Sequence, residues 1–362
     1  DPHDLETTRL FDKIHGSMLG GAVGDALGAP VEGWHYERIA ATHGVVDSML
    51  PYGRPPDYHA HFATAPGTIT DDTRLKHILC QAIINAGGLP RRGDLVKACA
   101  QMYFAARTEL ERGFLEEYAL AGLYGEGKLI WGGQPTNGFI MANSPLGLVC
   151  PCDPQAAFNL SFEIDFISDG YARYSAAIAA AAVGAAMEPG ATVGSIVDQA
   201  LAACQAHKVE GELSRHWHWY GHVFRPNEEL VERAVEIAAR HRDVFGLRAE
   251  YYGSLQLSHL GSEAGQTLAV ALGMLVAADG DLRQAVVGCV NYGRDNDSYA
   301  SVAGAIAGAL HGVGAIPPDW REAVESANPE PDMHALSLSL ARVAAERQAR
   351  ARAVVAQIDG LL

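Results

Sequence analysis

Apolar residues recur three and four positions apart over most of this chain, the spacing of helices that each bury one face. The pattern predicts helices over 10–28, 72–87, 94–106, 110–124, 154–166, 169–187, 191–206, 227–243, 262–278, 281–291, 297–312, 319–328 and 333–357. Alternating, strand-like stretches are few and short, so the expected fold is all-α, a single domain over residues 1–362. Two long stretches rich in Gly, Pro and Asn, 51–68 and 130–147, interrupt the pattern and are long enough to be functional loops. The last segment, LARVAAERQARARAVVAQ (340–357), reads as an amphipathic surface helix.

Two of these helices carry glycine at every fourth position: Gly16, Gly20, Gly24 and Gly28 in the first, Gly304, Gly308 and Gly312 in another. A spacing of four puts them on one helical face, where missing side chains let a neighbouring backbone come close. Each costs roughly 0.5–1 kcal/mol of helix stability relative to Ala, and close packing of central helices is a reason to tolerate that. Segment 298–316 is long and apolar enough to raise the question of a membrane span. Gly and Ala dominate it and no similar segment accompanies it, so it reads as a buried helix of a water-soluble fold.

Composition narrows the function classes. Hydrophobic residues at 48% and charged residues at 19% fit a well-packed globular protein and not a disordered one. A net charge of −16 opposes nucleic-acid binding, which needs Lys and Arg against phosphate. The six cysteines have no framework spacing, and Cys150-Pro-Cys152 is too tight for an ordinary disulfide. Reduced thiols in a cytoplasmic protein are therefore expected. No basic stretch followed by an apolar core opens the sequence, so no secretory signal is expected.

The candidate chemistry lies in two acidic clusters, each at the predicted start of an apolar helix. TITDDTRLKHIL (68–79) offers Thr70 as a cap, then Asp71, Asp72 and Thr73; NYGRDNDSYASVAGAIAGALHG (291–312) offers Asp295, Asp297 and Ser298. Either cluster alone is explained by the preference of Asp, Ser and Thr for helix starts. If the two meet, four carboxylates share one partly dry site and need a cation to stay ionised. An all-oxygen donor set suits Mg²⁺, Ca²⁺ or Mn²⁺, and two ions are the natural number for four carboxylates.

GSMLGGAVGDALGAPVEG (16–33), TDDT (70–73), NGFIMANSPLG (137–147) and VNYGRDNDSYASVAGAIAGALHG (290–312) together resemble the ADP-ribosylglycohydrolase family, in order and spacing, from about 10 to 315, with 316–362 as a helical extension. The resemblance implies a helical fold around a binuclear magnesium centre that hydrolyses ribosyl bonds. By position it implies metal ligation by Thr70, Asp71, Asp72, Asp295, Asp297 and Ser298, the last standing where the family usually has Thr. It implies Glu32 as the catalytic carboxylate, with Asp71 or Asp72 as the alternative base, and leaves Asp25 a structural role. Asn137, Gly138, Phe139, Met141 and Arg294 fall where the substrate would lie.

The substrate half departs from the family pattern. Arg294 replaces a glycine beside the aspartates; Phe139, Ile140 and Ala142 replace small residues and an arginine in the loop that cradles a diphosphate; and Ile164-Asp165 stands for a Thr-His pair. Three readings follow: a Mg²⁺-dependent hydrolase of a ribosyl N- or O-glycosidic bond, with ADP-ribosylated protein or a small molecule as substrate; the same fold turned to a nucleoside or a biosynthetic intermediate; or a metal-stabilised binding protein without turnover. RHWHWYGH (215–222), with His216, His218 and His222, lacks Cys or carboxylate at ligand spacing and reads as an aromatic surface or pocket wall. DYHAHF (57–62) lies close enough to the first acidic cluster to serve as a lid.

Overall fold

Helix follows helix in the computed structural model, which describes residues 5–51, 65–105, 136–168, 171–206, 227–257 and 261–362. The first four are α1 (Arg9–Gly28), α2 (Tyr36–His43), α3 (Asp71–Ala86) and α4 (Arg92–Ala105). Next come α5 (Ser144–Leu148), α6 (Pro154–Ile164), α7 (Tyr171–Ala186) and α8 (Val193–Ala206). The remainder is α9 (Asn227–His241), α10 (Arg248–Ser254), α11 (Ala264–Ala277), α12 (Leu282–Tyr292), α13 (Asn296–His311), α14 (Pro318–Ala327) and α15 (Met333–Asp359). No strand occurs among the described residues, only the isolated bridges His35–Gly293 and Thr136–Glu263. The expected helix at 110–124, the 57–62 segment and His216, His218 and His222 lie outside the described residues.

Every other expected helix is present, with ends shifted by a few residues. The three that periodicity missed, α2, α5 and α10, have 8, 5 and 7 residues, too few turns for a 3.6-residue period to register. No helix among the described residues is long and apolar enough to cross a membrane. The Gly/Ala-rich α13 is instead buried from Asn296 to Ala309.

The glycine stripes meet. α1 and α13 run antiparallel and press backbone on backbone, each glycine of one opposite the main chain of the other. A methyl group on Gly16 would lie 2.7 Å from the Gly308 carbonyl oxygen, on Gly20 2.4 Å from that of Gly304, and on Gly24 2.1 Å from that of Ala300. On Gly28 it would lie 2.5 Å from the Cα of Asp297. All are far inside van der Waals contact, so glycine is required by approach and not by backbone angle. Around this pair, α7 and α11 supply almost uniformly buried Ala, Val and Leu, and α15 covers α1 and α3 with Leu336, Leu340 and Ala341. Beyond residue 344 the same helix is mostly exposed, with Val354, Val355 and Ile358 facing solvent.

Gly24→Ala is expected to destabilise the protein by roughly 1–3 kcal/mol or to prevent folding, because the clash is with main chain that cannot swing aside. Gly93→Ala, in α4 with nothing within 4 Å of the added methyl, is expected to cost nothing. Urea denaturation of the two variants checks the contrast; equal stabilities would contradict the backbone contact.

Candidate metal and catalytic site

The end of α1 and the starts of α3 and α13 converge, and each brings carboxylates. Asp25, near the end of α1, is fully buried and reaches across to the start of α3. It accepts hydrogen bonds from the Thr70 amide at 3.0 Å, the Thr70 hydroxyl at 2.7 Å, the Thr73 amide at 3.2 Å and the Thr73 hydroxyl at 2.5 Å. Asp25 is thus the cap of α3. Thr70 occupies the N-cap position expected of it, but its side chain makes no cap hydrogen bond to α3, because the Thr73 amide it would accept from donates to Asp25 instead. That leaves the lone pairs of the Thr70 oxygen open to another partner.

One residue further, the Ser298 hydroxyl of α13 donates to Asp72 Oδ2 at 3.2 Å and lies 3.6 Å from the Met141 sulfur. The other oxygen of Asp72, Oδ1, is buried and has no hydrogen-bond partner among the described residues. The Asp72 carboxyl is pushed well above its ordinary range, first by burial and then by the charges of Asp297, Asp25, Asp71 and Asp295. Asp25 is pushed up to about 7 by burial and by Asp297, against the pull of its threonine donors. These four helix-end aspartates and Asp25 therefore share one electrostatic site, although 223 positions separate Asp72 from Asp295 in sequence.

Glu32 is brought in by the main chain. Its neighbour Gly33 donates its amide to the Arg294 carbonyl at 2.6 Å, and the Arg294 amide donates to the Trp34 carbonyl at 2.7 Å. Gly293 makes this pairing feasible: its φ is +81°, and a methyl group there would lie 2.2 Å from the Trp34 oxygen. Pinned so, Glu32, Asp295 and Asp297 each offer a carboxylate oxygen within 4.8 Å of the others. Asn137 fixes the outer aspartate, donating from Nδ2 to Asp295 Oδ2 at 2.5 Å and to the Thr267 hydroxyl at 3.1 Å.

The residues fit a hard divalent cation. The donors are carboxylate and hydroxyl oxygens, three carboxylates converge within ligand distance, and the bare oxygen of Asp72 lies buried at the same helix ends. Both α3 and α13 direct their N-termini here, and those partial positive charges offset some of the repulsion. A cation would offset the rest.

The loop at 137–142 divides between two surroundings. Asn137 and Met141 meet the carboxylate cluster, whereas Gly138, Phe139 and Ala142 line a small apolar void with Leu75, Ile78 and Leu79 of α3. Phe139 is 1% exposed and packs as core, away from the polar groups. Arg294 is half-buried, with its guanidinium 4.9 Å from the centre of the Tyr252 ring. Tyr252 in turn packs edge-on against His35 and Tyr36, and Arg248 lies 5.0 Å over the Tyr36 ring. This aromatic and cationic wall was not anticipated, since its members come from three distant short segments. Lys76, fully buried one turn into α3, was also missed; its spacing of four from Asp72 was the available signal.

The fold is the all-helical one of the ADP-ribosylglycohydrolase type. The ADP-ribosylglycohydrolase family model matches residues 6–352, so the chain belongs to that family, whose members hydrolyse glycosidic bonds in ribosylated substrates. The match runs past residue 315 through α14 and into α15, helices that carry none of the motifs. The uncharacterized protein YegU of Escherichia coli (strain K12) is 28% identical over 355 residues, covering 93% of this chain and 99% of its own. An uncharacterized protein of Archaeoglobus fulgidus is 29% identical over 333 residues, 87% of this chain and 92% of that one. A solved structure described as an ADP-ribosylglycohydrolase-related protein complex superposes with a TM-score of 0.62 at 25% identity, covering 92% of this chain and 99% of that one.

Gly293→Ala should detach Glu32 from the aspartates. The expected result is a loss of about 2 kcal/mol of stability and faster hydrogen exchange at the amides of Gly33 and Arg294, with α7 still protected. Unchanged exchange at those two amides would mean that the pairing does not hold Glu32.

Proposed function

We propose that this protein is a divalent-cation-dependent hydrolase, Mg²⁺ being the expected ion, that cleaves the N- or O-glycosidic bond of a ribosylated substrate. The convergence of Glu32, Asp295 and Asp297 within 4.8 Å carries the reading, and the bare, buried oxygen of Asp72 supports it. Asp71, Asp72, Asp295 and Asp297, with the hydroxyls of Thr70 and Ser298, would hold the cation, or two of them. When bound, such an ion supplies a fixed positive charge that orients ribose hydroxyls and acidifies water.

The chain's own groups do the rest. Glu32 is half-buried with a carboxylate oxygen beside those of Asp295 and Asp297, where it would accept a proton from water as general base. Departure of the leaving group builds positive charge at the anomeric carbon, and the surrounding carboxylates stabilise it. Asn137, donating to Asp295 Oδ2, would keep that carboxylate in place as a ligand.

A second reading of the substrate has its own observation. Arg294 over Tyr252, with Arg248 over Tyr36 beside it, forms a cationic aromatic wall suited to an anionic or ring-bearing small molecule such as a nucleoside derivative or biosynthetic intermediate. Phe139, turned into the core, also removes one element of a diphosphate cradle. A non-catalytic binding protein is disfavoured by the retention of Glu32 beside the aspartates.

Incubation with ADP-ribosyl-arginine, ADP-ribosyl-serine and free nucleosides, with Mg²⁺ or with EDTA, tests the proposal. Release of ribose or ADP-ribose from at least one class is expected with Mg²⁺ and is expected to stop with EDTA. Glu32→Gln is expected to lower kcat by roughly 10²–10⁴ with the fold intact. Turnover that is indifferent to EDTA would overturn the cation requirement, and full activity in Glu32→Gln would remove the base.

A further inference from the structure

Lys76 is 0% exposed, and a lysine so placed needs a reason. It stands on α3 four residues after Asp72, one helical turn below the carboxylates. Its ammonium donates to the Ser301 hydroxyl at 3.1 Å, and Ser301 stands four residues after Asp297 on α13, again one turn below. The space for the ammonium comes from Gly21, four residues before Asp25 on α1: a methyl group there would lie 2.4 Å from Lys76 Nζ. So each of the three helices that supplies a carboxylate supplies, one turn deeper, a part of the lysine's seat. Among the described residues Lys76 has no ion-pair partner within contact distance; burial lowers its ammonium from the ordinary range, and Asp72, Asp25 and then Cys80 act against that.

We propose that Lys76 is a built-in counter-ion for the carboxylate cluster, a positioning residue whose ammonium lies beneath Asp25, Asp72 and Asp297 and keeps the cluster assembled before any metal arrives. Its charge offsets part of the repulsion among the aspartates and, by the same field, repels an incoming divalent cation. Lys76 thereby sets a weaker, more exchangeable metal affinity than the aspartates alone would give. The fixed charge acts through Asp72 and Asp25 and touches no substrate.

The test has two arms. In EDTA, Lys76→Met is expected to lower the melting temperature by roughly 5–10 °C, since a buried set of charges loses its offset. Asp72→Asn added to Lys76→Met is expected to recover most of that loss, because the charge that needed offsetting is gone. A lysine that only fills space predicts no recovery, and that result would overturn the proposal. Should Lys76→Met not fold alone, folding of the double variant is itself the rescue. The second arm rests on the cation-binding function proposed above: titration with MgCl₂ is expected to show binding about tenfold tighter in Lys76→Met than in the wild type. Equal affinities would count against the counter-ion. Absence of Mg²⁺ binding by the wild type would remove the cation reading instead, while the EDTA arm still decides the role of Lys76.

Discussion

Everything at the site depends on two helices coming closer than side chains normally allow. α1 and α13 touch main chain to main chain because glycine faces each contact, from Gly16 against Gly308 to Gly28 against Asp297. That approach carries the end of one helix and the start of the other to the same depth in the core. The cost in helix propensity, roughly 0.5–1 kcal/mol per glycine, is offset by burial of the Ala, Val, Leu and Ile side chains around the pair at about 1.5–3 kcal/mol for each large one. An Ala-for-Gly exchange that would help an isolated helix would here push Asp297 away from Asp25 and Asp72.

Depth then creates an electrostatic problem. Carboxylates at Asp25, Asp72 and Asp297 have left water, and at Asp25 and Asp72 burial and the charge of Asp297 both favour the protonated form. Several partial remedies are built in: the amides and hydroxyls of Thr70 and Thr73 on Asp25, the Ser298 hydroxyl on Asp72, two helix N-termini, and the Lys76 ammonium. None of them satisfies Asp72 Oδ1. A site so nearly balanced, with one oxygen left over, is the observation behind the proposed hard cation.

The helical fold was legible because long amphipathic and glycine-striped segments announce themselves by period, and short ones such as α2 and α10 do not. The site was legible in part. Acidic residues at two helix starts showed as clusters, but their meeting rests on tertiary packing that no local pattern encodes; the family motifs supplied it. Asp25 read as structural, and its capping of α3 from a neighbouring helix agrees. What escaped was anything assembled from single residues on distant elements: Lys76 with Gly21 and Ser301, or Tyr252 with His35 and Arg294. In the loop, local sequence could not say that Asn137 and Met141 would turn to the aspartates while Phe139, two residues on, packs into the core.

The central claim is that three helix ends build one cation site, and diffraction from crystals soaked in MnCl₂ tests it most directly. At least one anomalous peak is expected among Asp72, Asp295 and Asp297, with Glu32 at its edge and Lys76 one turn below. An empty map at that position in a crystal that shows Mn²⁺ bound elsewhere would contradict it.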